Sequence, residues 1–392
     1  MTAAICSPWP SFSEEEADAV ANVLRSNRVN YWTGQEGRQF ELEFAAWAGS
    51  HRAIALANGT LALDLALKAL GIGPGDEVVV TPRTFIASVS CVVNAGATPV
   101  FADVDRDSGN ISAATIAPVI RPRTRAIIPV HLGGWPCDMH AIMTLARDHG
   151  LHVIEDCAQA HGASVGEKSV GSIGDVGAWS FCQDKIMTTG GEGGMVTTDN
   201  ENLWSSMWSY KDHGKDWDAV YNRTHGEGFR WVHDSFGTNW RMLEMQSVIG
   251  RIQLRRMTEW TRRRAEIADA ITAALSPFAS AVRVPVPGAH FRHAYYRHYA
   301  YVRFDGLKPD WSRDRLVREL TVAGVAVLHG TCPEVYLEKS FDGTGLRPEE
   351  RLPVARELGE TSMMFLTHPT MTAEELRHTE TMLGTVLSEA IR

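Results

Sequence analysis

Between residues 53 and 155 short apolar runs return at helix-length intervals, at 53–57, 77–80, 99–104, 126–130 and 153–155. Strands separated by helix-length segments can join one sheet only through crossover connections, and repeated crossovers build a mostly parallel sheet covered by helices. In such an open α/β sheet, ligands bind outside the carboxyl ends of the strands. The chemistry-bearing residues are therefore sought where each apolar run stops. None of these runs is followed by G-x-G-x-x-G, which disfavours a dinucleotide-binding dehydrogenase.

From about Gly250 the pattern changes. A long helical stretch through Ile252, Leu254, Trp260, Ile267 and Leu275 precedes a run, 296–304, whose two alternating faces differ, and a helix opened by Thr372-x-x-Glu375. With 392 residues, the chain is expected to divide into a large α/β domain, residues 1–249, and a smaller α+β domain, residues 250–392.

Composition narrows the function classes. A net charge of -9 argues against a nucleic-acid surface. The cluster Arg262 to Arg264 falls in a helical pattern and reads as a solvated face. Six cysteines without paired spacing point to free thiols in a cytoplasmic protein. No run of about 18 apolar residues suggests a membrane span. His213, His225 and His233 lie in a long irregular stretch at spacings that match no metal-ligand pattern, and no metal is expected.

Two stretches carry the chemistry. Val176 to Phe181 is apolar and strand-like, and the chain then passes Lys185 before the glycine-dense turn Gly190-Gly-Glu-Gly-Gly194. A lysine at a strand end, shielded from water, has the character of a Schiff-base nucleophile. Upstream, Val153-Ile-Glu-Asp156 ends an apolar run in a carboxylate, with Gln159 three residues on. Ala57-Asn58-Gly59-Thr60 is a third strand end, running into a leucine-rich helix whose first amides form an anion site.

In this order, and over about residues 58–369, these motifs resemble the DegT/DnrJ/EryC1/StrS family of sugar aminotransferases, which use pyridoxal phosphate on the aspartate-aminotransferase-like fold (PLP fold type I). The resemblance implies that Lys185 and Asp156 are catalytic, the lysine carrying the cofactor and moving a proton, the aspartate pairing with the pyridine nitrogen. It implies that Gln159 donates to the phenolic oxygen, that Phe85 stacks on the ring, and that Gly59, Thr60 and Ser180 hold the phosphate. The segment Gly237-Thr-Asn239-Trp-Arg241 matches one in which the asparagine serves the neighbouring subunit, so Asn239 implies a homodimer with shared sites. Tyr31, Trp32, His329 and Tyr336 fall where the family contacts substrate; for Tyr31 and Trp32 a packing role is as good a reading, and for His329 a structural one.

The activity implied is transfer of an amino group from an amino acid, L-glutamate above all, to a nucleotide-linked 3-keto or 4-keto hexose. Keto-cyclitols are an alternative acceptor, and a non-catalytic PLP-fold regulatory protein is an alternative of another class. Sugar 3-dehydratases of the superfamily carry histidine at the position of Lys185, which favours transamination here.

Overall fold

The computed structural model describes residues 7–392, so Cys6 lies outside the described residues. In chain order its strands are β1 (Arg52–Leu56), β2 (Glu77–Val80), β3 (Thr98–Phe101), β4 (Thr124–Ile128), β5 (His152–Asp156), β6 (Ser164–Val165), β7 (Lys168–Ser169), β8 (Val176–Ser180), β9 (Gly194–Thr198), β10 (Val282–Arg283), β11 (Phe291–Arg292), β12 (Arg297–Val302), β13 (Val327–Leu328) and β14 (Ser362–Leu366).

Seven strands form one sheet in the order β1-β9-β8-β5-β4-β2-β3. Neighbours from β8 to β3 run parallel, as the crossover pattern requires. β9 is antiparallel to both β1 and β8, because it returns from β8 through a turn and not through a crossover helix. The helix Gly59–Ala69 lies on this sheet and buries Leu63, Leu65, Ala66 and Leu67 in one core with Ile54, Val78, Ile128 and Ile154. Each such aliphatic side chain contributes about 1.5–3 kcal/mol on burial.

A second, antiparallel sheet has the order β10-β12-β14-β13 and a core of its own that includes Ile271, Leu275, Leu316, Leu320 and Leu383. The 32-residue helix Glu244–Leu275 runs from a further apolar cluster on the large sheet to the second core. Its first half buries Leu254 and Met257 beside Trp179 and Phe181, and its second half buries Ile267 and Ile271 in the second core. Along β12 the two faces separate as period two demands: Ala300 and Val302 enter the second core, while Tyr299 and Tyr301 pack toward the large sheet.

One reading of the sequence is corrected on the long helix. Arg262 is exposed, but Arg264 is wholly buried, donates to the Thr367 carbonyl at 3.2 Å, and lies against the Trp9 ring. Two residues of helical twist carry it from the solvated side to the inner one. Among the described residues no helix is long and apolar enough to cross a membrane. Cys91, Cys137, Cys157, Cys182 and Cys332 are unpaired thiols.

Candidate active site

The carboxyl ends of β1, β5 and β8 open into a cavity of about 850 Å³, which residues of the second sheet close from the other side. Its anion cup forms where β1 meets the helix Gly59–Ala69. The Asn58 side chain caps that helix by accepting from the Leu61 amide at 3.0 Å, which leaves the amides of Gly59 and Thr60 without helical partners. Gly59 lies so close to β8 that a Cβ there would stand 2.5 Å from the Ser180 Cβ. Gly194 of β9 meets the Asn58 carbonyl in the same way, so two glycines let three backbone segments converge on one anion-sized space.

Asp156 is the last residue of β5 and is 5% exposed. Its Oδ2 accepts from Ser88 Oγ at 2.7 Å and its Oδ1 from the Ala158 amide at 3.1 Å. Because Ser88 gives its hydrogen to the carboxylate, the 2.7 Å contact between Thr84 and Ser88 has Thr84 as donor. The carboxylate is thus oriented from behind by a two-hydroxyl relay. Gln159 is oriented as firmly: its Oε1 accepts from the Gly133 amide at 2.8 Å, leaving its NH2 group free to donate. Phe85, at 65% exposure, presents its ring to the same cavity.

Lys185 does not sit at a strand end. β8 stops at Ser180, and Lys185 follows in the irregular turn toward β9, with its amide bonded to the Cys182 carbonyl at 3.1 Å. Its ammonium nitrogen lies in the cavity, 5.2 Å from the Tyr296 ring centroid. Burial raises the neighbouring Asp184 carboxyl, but the Lys185 charge, a bond from Tyr296 and the Arg297 guanidinium outweigh it and hold Asp184 below the usual carboxylate range. Behind the turn, His161 is enclosed by Trp179 and Phe181 with both ring nitrogens unpartnered. Burial, then the charges of Lys185 and Arg264, drive its pKa down to about 3, so it stays neutral.

Gly59, Thr60, Phe85, Asp156, Gln159, Ser180 and Lys185 therefore face one space. The other sequence candidates do not line it. Tyr31 is buried, bonded to Glu41 at 3.0 Å and to Trp208 at 3.3 Å, with the Lys211 ammonium 3.8 Å from its ring centroid. Trp32 packs edge-on against Tyr31 and Trp208 and under Lys215. Tyr336 is a core residue that donates to Glu334 at 2.5 Å and accepts from the Leu352 amide at 2.9 Å. His329 is exposed at 3.4 Å from Asp314, while Leu328 and Thr331 on either side of it reach the cavity. Asn239 is exposed, bridged to Asp212, and stands outside its own chain's cavity.

The structure adds residues that sequence reading passed over. Ser88 lies one helical turn after Thr84 just beyond a strand end, a spacing that signals the relay once the strand is placed. Tyr296, Arg297, Tyr299 and Met364 line the cavity from the second sheet, which no local motif announces. Elsewhere, His131, Glu155 and Cys157 bring ligand atoms within 4.8 Å of one another. His131 Nδ1 already accepts from the Cys137 amide at 3.0 Å, and its Nε2 faces Glu155 at 3.1 Å. That pairing leaves the ring no lone pair for an ion.

The convergent backbone at Gly59, Ser180 and Gly194 suits a phosphate, a carboxylate at a strand end suits a ring nitrogen, and Lys185 suits an aldehyde; the donor set fits pyridoxal phosphate. Comparison with known proteins agrees. The DegT/DnrJ/EryC1/StrS aminotransferase family matches residues 10–383. The crystal structure of an aminotransferase from Psychrobacter cryohalolentis superposes with a TM-score of 0.97 at 60% identity, over 98% of this chain and 99% of that one. GDP-perosamine synthase of Caulobacter vibrioides is 39% identical over 81% of each chain. The UDP-N-acetyl-3-dehydro-alpha-D-glucosamine 3-aminotransferase of Acidithiobacillus ferrooxidans is 36% identical over 92% of this chain and 90% of its own. The chain belongs to the DegT/DnrJ/EryC1/StrS aminotransferase family and is a pyridoxal-phosphate-dependent aminotransferase.

Proposed function

We propose that this aminotransferase moves an amino group from L-glutamate to a nucleotide-linked 3-keto or 4-keto hexose, supplying amino sugars for a surface polysaccharide or a secondary metabolite. The observation that carries this reading is the joint placement of Lys185, Asp156 and the Gly59–Ser180 cup in one cavity, in a chain whose relatives are named for nucleotide-sugar amination. Pyridoxal phosphate, when bound, supplies an aldehyde to carry nitrogen and a ring to accept electrons.

The chain's own residues would do the rest. Lys185 Nζ takes the proton from the donor's Cα and returns one to the acceptor carbon. Asp156 holds a proton at the pyridine nitrogen, and Ser88 fixes the carboxylate for that task. The free Gln159 amide donates to the ring's phenolic oxygen, Phe85 covers the ring face, and Gly59, Thr60 and Ser180 bind the phosphate. Leu328, Thr331 and Met364 line the cavity from the side of the second sheet and would meet the acceptor. The working unit is inferred to be a cytoplasmic homodimer, with Asn239 completing the phosphate site of its neighbour; its place on the surface, next to the Trp240 carbonyl that accepts from Ala57 at 3.0 Å, supports this. The division at residues 249 and 250 falls inside the linking helix, and the two cores are inferred to act as separate domains.

The test is a visible absorption spectrum of the purified enzyme before and after L-glutamate, repeated on Lys185→Ala. The expected result is a cofactor band that glutamate bleaches in the wild type and fails to bleach in Lys185→Ala, followed by amination of a UDP-, GDP- or dTDP-linked keto hexose by the wild type. A band that no amino donor alters would overturn the transferase reading in favour of a binding protein. Amination of free keto-cyclitols alone would overturn the nucleotide-sugar assignment.

A further inference from the structure

Besides its bonds to the long helix at Gln246 and Gln253, the turn that carries Lys185 is fastened at two points that lead to the region of the second sheet. On one side the Trp9 indole N–H donates to the Lys185 carbonyl at 2.8 Å. The short segment around Trp9 is tied down at its other end: the Pro8 carbonyl accepts from Thr370 Oγ1 at 3.2 Å, and Ser7 Oγ donates to the Glu375 carboxylate at 3.0 Å. Thr370 and Glu375 flank the start of the helix Ala373–Ala390, which packs in the second core. The Trp9 ring itself stands edge-on to Trp260 at 5.1 Å and beside His368 at 5.9 Å, with the buried Arg264 guanidinium 5.1 Å from its centroid. On the other side, Asp184 Oδ2 accepts from Tyr296 Oη at 2.5 Å and from Arg297 at 3.2 Å, at the start of β12.

A lysine side chain has four rotatable bonds, so the place of its amine depends on how well its own main chain is held. Misplacement by about 1 Å can cost on the order of a hundredfold in rate. The strand has ended before Lys185 and the next one begins only at Gly194; farther along the turn the Thr188 amide donates to Gln253 at 2.8 Å, while at Lys185 itself the main chain is held by the Cys182 carbonyl and the Trp9 indole.

We propose that Trp9 and Asp184 are positioning residues for Lys185, and that residues 7–10 form a strap which makes the lysine's position depend on the second sheet. Neither residue is asked to touch the reacting carbon. The strap carries the main chain of Lys185, and the Asp184 bonds set the pitch of the turn. A displacement of the second sheet would thereby be passed to the amine. This inference rests on the reading of Lys185 as the reactive lysine.

The experiment compares Trp9→Phe with the wild-type holoenzyme. Phenylalanine keeps an aromatic ring against Trp260 but removes the N–H donor. The expected result is a fall on the order of tenfold in kcat for the glutamate half-reaction with KM for glutamate unchanged, together with an altered visible cofactor band and an unchanged thermal midpoint. Asp184→Asn, which weakens the Arg297 contact, is expected to change the same band. If Trp9→Phe does not fold, the Ser7→Ala, Thr370→Val double variant releases the strap at its far end and is expected to slow the same half-reaction. Unchanged kcat and an unchanged band in the folded variants would overturn the proposal. A wild-type enzyme with no glutamate half-reaction would instead overturn the reading on which it rests.

Discussion

The two walls of the cavity are made differently. On the wall built from the seven-stranded sheet, each group has a main-chain anchor: Gly59 against Ser180, Asp156 under the Ala158 amide with Ser88 behind it, Gln159 under the Gly133 amide. On the wall built from the second sheet, side chains do the lining, and Leu328 is 49% exposed with nothing polar to hold it. Backbone geometry survives most substitutions, whereas a wall of side chains can be rewritten one residue at a time. The division of labour we propose from this contrast is cofactor chemistry on the first wall and acceptor choice on the second.

The largest expected effect falls on the first wall. Asp156→Ala should lower transamination by about a thousandfold in both half-reactions, and Ser88→Ala by about tenfold, since it loosens the carboxylate without removing it. Steady-state rates with saturating cofactor decide this, and a mild Asp156→Ala effect would break the comparison at its strongest point. Next is Gly59→Ala. Its Cβ has no room beside Ser180, so the cup must open and cofactor affinity should fall by about ten- to a hundredfold in an equilibrium titration, with kcat at saturation little changed. On the second wall, Leu328→Glu should raise KM for an anionic nucleotide sugar about tenfold and leave the glutamate half-reaction within about twofold. Equal damage to both half-reactions would erase the distinction between the walls.

The smallest effect concerns stability. His161 is held neutral, at about 3, by its burial and by the Lys185 and Arg264 charges. In the unfolded chain an imidazole takes up its proton near about 6.5. Between those values the unfolded state binds more protons, so this residue's contribution is intact above about pH 6.5 and is lost as pH falls toward 3. His161→Phe, which matches the ring's aromatic neighbours, should remove about 2 kcal/mol of acid sensitivity at about pH 5. Thermal melts of both proteins across that range would show it, and parallel curves would exclude His161 as the titrating group.

What could be read from the sequence followed the strand ends. Asp156, Gly59 and Ser180 each stand at or just beyond the end of an apolar run, and a parallel sheet gathers such ends on one edge. Residues whose environment comes from distant chain were not legible. Tyr31 owes its burial to Glu41, Trp208 and Lys211, and nothing in the local sequence says that Lys211 will be under its ring. His329 follows the end of its strand and faces Asp314 at 3.4 Å, while its neighbour Leu328 reaches the cavity, a difference of one residue that no local motif encodes. Arg264 was lost to the opposite ambiguity, a helix face that is wet at Arg262 and dry two residues later. The sequence pattern puts Lys185 at a strand end, and it lies in the turn beyond, because the glycines after it mark the turn without giving the strand's last residue.

The reversed strand β9 has a consequence for how the enzyme comes into being. Its pairing with β1 joins Arg52 to Thr198, so one edge of the large sheet cannot close until most of the α/β region has been made. Contacts that distant along the chain are slow to form, because loop-closure entropy is spent before any pairing repays it. The same closure brings Gly194 to Asn58 and Gly59 to Ser180. The cup is therefore among the last parts of the large sheet to form, and a chain in which that sheet has not closed lacks the backbone convergence proposed to hold the phosphate.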